Sequence, residues 1–518
     1  MDIIDNKALL VRTRNPDRIT DKIVKSKVIG EENGIHQVLV NWGFDEVQTL
    51  ATLNLNGIPS PIKKDYQWTG KLTPFAHQIE TSSFLTTYRK AFCFSEQGTA
   101  KTASAIWAAD YLMNLGRVKR VLILCPLSIM KSVWQQEIFR FAMHRSCEVA
   151  HGTAKARAKV IDGGAEFIVI NFDGLGVVKK EVMAGGFDLI IVDEANSYKN
   201  VSTNRWKVIK DVSAKVDWLW MMTGTPAAQS PVDAYGLAKL VNPDNTPKFF
   251  GRFRDSVMYK VTQFKWMPKP HAQQIVHSLL QPAIRYERDQ CLDLPPLVVA
   301  DREAPLTAQQ KAVYKKLKTD MFLEAAGEDI SAVNAAVKIN KLLQISGGSV
   351  YTDNGEVVDF DVSNRLNAVL EVIEEASHKV LVFVPFTHTI ELLREFLEKN
   401  KISCDVINGK VPHNKRSDIV TAFQNQPDPH VLIIQPQAAS HGLTLTEADT
   451  IIWYAPVTSV ETYLQANARI NRPGQKHSMS IIHIHGSEVE VKLYAMLRNN
   501  IMNHQRVIDL YRQEILQE

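Results

Sequence analysis

Ala91-Phe-Cys-Phe-Ser95-Glu-Gln-Gly98-Thr99-Ala100-Lys101-Thr102 decides the fold, because an apolar run ends in a short polar loop and an Ala-rich helical pattern begins at Lys101. Strand, loop and helix in that order form the setting a phosphate-binding loop requires. Backbone N–H groups of the loop and the positive end of the helix would face the phosphates, the Lys101 ammonium would reach their outer oxygens, and the Thr102 hydroxyl could ligate Mg²⁺. The strict pattern has Gly where Ser95 and Ala100 stand, and the plainer reading is a helix N-terminus with a surface lysine. If the backbone at Ala100 needs a positive φ, alanine adds about 1 kcal/mol of strain there.

Further along, Leu189-Ile-Ile-Val-Asp193-Glu194-Ala195-Asn196 is an apolar strand that ends abruptly in two acids. The first carboxylate can hold Mg²⁺ and its neighbour can orient or deprotonate a water; an acidic helix cap is the alternative. The strand-and-helix rhythm around these two segments occurs twice. It predicts strands at Ala91–Phe94, Val121–Cys125, Phe167–Ile170, Leu189–Val192 and Trp218–Met222, then at Val380–Val384, Ser403–Ile407, Val431–Ile434, Thr450–Trp453 and Ser480–Ile484. Short apolar strands alternating with helices imply an α/β fold with two parallel-sheet lobes.

Boundaries follow from where the rhythm stops. Residues 1–70 read as a small N-terminal accessory unit, 71–240 as the first lobe, 241–362 as Pro-punctuated helical protrusions and an inter-lobe linker, 363–487 as the second lobe and 488–518 as a closing helix. A length of 518 residues agrees, suggesting roughly three folding units. With 45% apolar and 22% charged residues the chain is of ordinary globular composition, which excludes fibrous and largely disordered classes. A net charge of +4 does not announce a nucleic-acid partner, so any such evidence must be local. Five scattered cysteines without a Cys-x-x-Cys imply a reduced compartment and no zinc site, and no apolar run suggests a membrane span or secretion signal.

Read in order, several segments resemble the motifs of superfamily-two helicases. They are Thr73-Pro-Phe-Ala-His-Gln78, the Gly98–Thr102 loop, Cys125-Pro-Leu-Ser128 with Trp134 and Glu137, the Asp193–Asn196 box and Thr223-Gly-Thr225-Pro226. Val380–Phe383, Asn408-Gly409 through Arg416 to Phe423, Ala438–Leu445 and Gln465-Ala-Asn-Ala-Arg469-Ile-Asn-Arg472-Pro-Gly474-Gln475 continue the series. The Arg-x-x-Arg-x-Gly-Gln ending, with Leu294-Pro-Pro-Leu ahead of Leu306–Gln310, is similar to the Swi/Snf branch in a compact, phage- or bacterial-like form.

The resemblance implies two tandem RecA-like lobes and an ATPase that tracks along double-stranded DNA without separating its strands. It implies that Gln78 reads adenine, that Gly98, Thr99, Ala100, Lys101, Thr102 and Gly442 line the ATP site, and that Thr102 and Asp193 hold Mg²⁺. Glu194 would handle the water, and Arg469 and Arg472, spaced three apart on one helical face, would be arginine fingers. Asn196, Thr223, Thr225 and Gln465 would couple nucleotide state to lobe arrangement, and Ser128, Lys131, Asn171 and Ser440 would contact DNA phosphates independently of sequence. Departures from the pattern (Ala100, Asn196, Ala439-Ser440, Thr444 and Thr458) bear more on DNA coupling than on hydrolysis. A strand-unwinding DNA or RNA helicase and a nucleotide-gated DNA-binding module with weak turnover are the competing readings. A monomer in the cytoplasm of a bacterial or phage-infected cell is expected, with the N-terminal unit open to a protein partner.

Overall fold

A computed structural model describes residues 1–499, except 54, 56, 71, 97, 225, 228–229, 262–265, 288–290, 292–294, 326–331, 352–356, 440–442 and 473. At 128, 132, 320–325, 332–336, 351, 413–414 and 439 it describes the backbone alone. The chain divides into two compact units, Met1–Leu292 and Asp293–Glu518.

The first unit is built on a seven-stranded parallel sheet. From edge to edge its strands are Ala283–Ile284, Lys90–Cys93, Trp218–Met222, Leu189–Asp193, Val121–Cys125, Phe167–Asn171 and Cys147–Ala150. Alternation along each strand explains why these runs are apolar throughout. Ala91, Cys93, Ile123, Val169, Ile191 and Trp220 point into one core, whereas Phe92, Leu122, Ile168, Ile190 and Met221 point into another on the opposite face. Ahead of this sheet, an antiparallel four-stranded sheet in the order Asp2–Ile4, Ala8–Thr13, Ile35–Asn41, Ser26–Glu32 packs with Phe44–Thr52 around its own core of Leu9, Val11, Val38, Val40 and Trp42.

The second unit repeats the plan with six parallel strands, ordered Leu297–Glu303, Met479–His485, Ala448–Trp453, Lys379–Phe383, Val431–Ile434 and Cys404–Ile407. All ten predicted strands are present, with ends shifted by a residue or two at most. The two α/β lobes are therefore as expected. Segment 241–362, in contrast, is not free of sheet strands. Ala283–Ile284 pairs with the phosphate-loop strand, and Leu297–Glu303 runs parallel to Met479–His485 over seven residues. Both are edge strands, and Leu297–Glu303 is mostly exposed, its apolar run stopping at Ala300 where a covered strand would stay apolar throughout. Helices Ala308–Ala325 and Ala332–Gly347 lie where helical stretches were expected. The closing helix is described over Glu488–Arg498, with Asn499 as its C-cap, and residues 500–518 of the expected helix lie outside the described residues. No described helix is long and apolar enough to cross a membrane.

A buried ion pair closes the second unit. Arg365 Nη2 donates to both Glu490 oxygens at 2.8 Å, and its Nη1 donates to the Tyr454 carbonyl. Glu490 also accepts from the Gly486 and Ser487 N–H groups, capping its own helix. Neither side chain is more than 2% exposed, so removing one partner strands a charge in the interior. Arg365→Ala is therefore expected to cost about 3–5 kcal/mol, measured by chemical denaturation, with Arg365→Ala combined with Glu490→Leu costing less than the sum of the two single changes.

Candidate active site

Sheet register assembles the site. Met222 is level with both Cys93 and Asp193, so three adjacent strands end in one row and release Ser95, Thr223 and Glu194 at the same carboxyl edge. That edge is where open α/β sheets bind ligands. Thr223, fully buried, is tied there by its N–H to the Cys93 carbonyl at 3.0 Å. Thr225 lies outside the described residues.

Beyond Cys93 the chain turns through Gly98, at φ 88°, and Ala100, at φ 55° and ψ 42°, into helix Lys101–Asn114. The left-handed conformation considered for Ala100 is thus adopted. Relief of its Cβ strain outweighs the extra freedom Gly gives the unfolded chain, so Ala100→Gly is expected to stabilise the protein by about 0.5–1 kcal/mol, read from denaturant midpoints. Lys101 Nζ donates to the carbonyls of Ser95 at 2.7 Å and Glu96 at 3.2 Å, holding the ammonium over the loop. Thr99 Oγ1 donates to the Glu96 carbonyl, and Thr102 follows in the helix's first turn.

Helix Ala76–Thr87 packs against this loop. Gln78 accepts from the Phe75 N–H at 2.9 Å and its Nε2 lies 3.4 Å from the Ala100 carbonyl. An amide of two lone pairs and two hydrogens retains capacity for a base edge beside these bonds. His77 Nε2 lies 3.0 Å from the Thr99 carbonyl.

Asp193 ends its strand half-buried. Its Oδ2 accepts from Trp134 Nε1 and its Oδ1 from the Glu194 N–H, each at 3.0 Å. Burial pushes its carboxyl above the ordinary range, against the opposing pull of Lys101 and these two donors. Glu194 is left-handed at φ 52° and ψ 53°, an uncommon conformation of the kind that clusters at functional sites. Asn196 follows in the 3₁₀ turn Ala195–Tyr198. The donor set fits a nucleotide with Mg²⁺: two loop residues with positive φ, an ammonium, a hydroxyl and two carboxylates meet at one sheet edge.

The candidate DNA contacts in this unit also lie at carboxyl ends of strands. Ser128 is in the turn Leu127–Ile129, and exposed Lys131 is in the π-helical segment Met130–Gln135, which carries Trp134. Asn171 is level with Cys125, and its Oδ1 accepts from Arg157 Nη1 at 2.9 Å. Arg157 also holds the carbonyls of Ala150 and Gly152. Neither Arg157 nor the Trp134 contact had a sequence signal, since each depends on a partner brought in by the fold.

In the second unit, Gln465 is buried on helix Val460–Asn467. Arg469 Nε donates to the Gln465 carbonyl at 2.8 Å, and Nη1 of both Arg469 and Arg472 donates to the Leu443 carbonyl, at 3.2 and 3.0 Å. The expectation that the two arginines share a helical face is corrected, because the helix ends at Asn467 and both lie in the following turns. Pro473 disfavours helical backbone at Arg472, and Gly474 at φ 101° turns the chain away. They nevertheless converge, on one carbonyl. Gly442 and Ser440 lie outside the described residues.

Residues 76–347 match the family described as SNF2-related domain, and residues 364–474 that described as helicase conserved C-terminal domain. An uncharacterized ATP-dependent helicase of Mycoplasma genitalium is 27% identical over 75% of this chain and 37% of its own length. The chromodomain-helicase-DNA-binding protein 1-like of Mus musculus is 26% identical over 80% of this chain and 47% of its own. Protein p41 of Acyrthosiphon pisum secondary endosymbiont phage 1 is 25% identical over 77% of this chain and 88% of its own. The chain thus spans less than half the length of the first two relatives and most of the third.

Proposed function

Since the chain belongs to the SNF2-related domain family, we propose that it is an ATP-hydrolysing motor that moves along double-stranded DNA, remodelling DNA or protein–DNA structures without processive strand separation. The observation that carries this reading is the single row of strand ends presenting the Lys101 loop and the Asp193–Glu194 pair together.

Loop amides and Lys101 bind the phosphates, and Gln78 faces the base. Bound Mg²⁺, with the Thr102 hydroxyl and the Asp193 carboxylate to hold it, would neutralise charge on the phosphate oxygens. Glu194 orients the attacking water and takes its proton. Arg469 and Arg472 meet the charge on the transferring phosphoryl once the two units close, so hydrolysis and motion become one event. Asn196, Thr223, Thr225 and Gln465 relay that closure. Ser128, Lys131, Asn171 and Ser440 grip DNA phosphates, a mode that loses affinity steeply with salt and needs no large net charge.

Phosphate release is to be measured with duplex DNA, single-stranded DNA and RNA. Stimulation by duplex is expected, and its absence would overturn the reading. Displacement of a triplex-forming strand without displacement of a duplex strand separates the motor from an unwinding helicase.

A further inference from the structure

We propose that His77 is a positioning residue of the phosphate loop: it sets the direction in which the loop's amides point and thereby the affinity for nucleotide phosphates, a role that rests on the loop being the ATP site. A trans peptide unit carries its C=O and N–H on opposite sides, so anchoring a carbonyl aims the next residue's N–H the other way. The Thr99 carbonyl can only accept, so His77 Nε2, at 3.0 Å, carries the proton and donates. That bond directs the Ala100 N–H. Gln78 Nε2 makes the longer contact to the Ala100 carbonyl, directing the Lys101 N–H.

Two adjacent residues of one helix thus orient two adjacent peptide units. The units flank the left-handed Ala100, and successive amides joined through such a residue form a concave anion-binding nest. A left-handed alanine persists only where its surroundings over-determine it, and these two bonds contribute to that constraint.

The ring itself has little room to move. His77 is 7% exposed, stacked on Phe75 with centroids 5.6 Å apart and planes at 10°, and flanked by Tyr286 at 5.8 Å. Tyr286 is in turn laced to the start of the loop, its N–H donating to Ser95 Oγ at 3.1 Å and its carbonyl accepting from the Glu96 N–H at 2.9 Å. Burial lowers the imidazole pKa, which favours the neutral ring.

The test uses the full chain, a fluorescent ATP analogue for Kd, steady-state hydrolysis for kcat and KM, and thermal melting. Gln places an amide nitrogen where Nε2 of the imidazole sits, whereas Asn reaches only to the Nδ1 position. His77→Gln is therefore expected to keep Kd within about twofold of the parent, and His77→Asn and His77→Ala to weaken it about tenfold, the value of one hydrogen bond, with KM rising more than kcat falls. If His77→Ala melts below the assay temperature, the Gln and Asn pair decides alone. Equal Kd in Gln, Asn and parent proteins, or an equal loss in Gln and Asn, would overturn the positioning role. Failure of the parent protein to bind the analogue would instead overturn the nucleotide-site reading and this role with it.

Discussion

Glu194→Gln is expected to lower kcat for ATP hydrolysis by about 10²–10⁴-fold, the range that removal of a general base produces, while nucleotide Kd stays near the parent value. The expectation is sharp because the change is nearly isosteric. Glu194 contributes its backbone N–H to Asp193, and Gln preserves that bond. The left-handed backbone at this position costs Gln about what it costs Glu, so neither folding nor the seat of Asp193 should shift. What is lost is the carboxylate's charge and, with it, the capacity to accept a proton. Single-turnover phosphate release with saturating ATP, beside analogue binding, checks it. A rate equal to the parent's would remove Glu194 from the chemistry, and a parallel loss of binding would make its role structural.

What was legible beforehand divides along physical lines. A strand covered on both faces must be apolar at every position, so runs such as Leu189–Val192 and Val431–Ile434 are visible from their own residues alone. Leu297–Glu303 is an exposed edge strand whose apolar half, Leu297–Ala300, gives way to Asp301, Arg302 and Glu303, so only part of its seven-residue pairing is marked in the sequence. Local chemistry was readable in the same way. The backbone demand on Ala100 follows from the loop that contains it, and the structure shows the positive φ. Contacts between distant segments were not readable. His77 meets Thr99 across 22 residues, Trp134 meets Asp193 across 59, and Arg365 meets Glu490 across 125. Periodicity also misled once, because an i, i+3 spacing implies a shared face only while the helix continues, and Pro473-Gly474 had already signalled its end.

That same turn determines which arginine substitution is informative. Arg472→Lys is expected to lower DNA-stimulated kcat by about 10³-fold or more with little change in nucleotide Kd, as for loss of an arginine finger. Arg469 is the poorer probe, since it is buried and ties the Gln465 and Leu443 carbonyls together. Its truncation takes the Nε donor from the carbonyl of buried Gln465, at about 1–3 kcal/mol, and a fall in rate would mix with a fall in stability. Arg472 is only half-buried, and Leu443 retains the Arg469 donor when Arg472 changes. Lysine keeps the charge, yet its single ammonium on a flexible stem cannot hold the Leu443 carbonyl and a phosphoryl oxygen with one rigid fork, as a guanidinium can. Loss of rate with unchanged Tm therefore reports geometry rather than charge or folding. Full activity in Arg472→Lys would mean that a point charge suffices there, and the second unit would then have to stabilise the transferring phosphoryl through Arg469 alone.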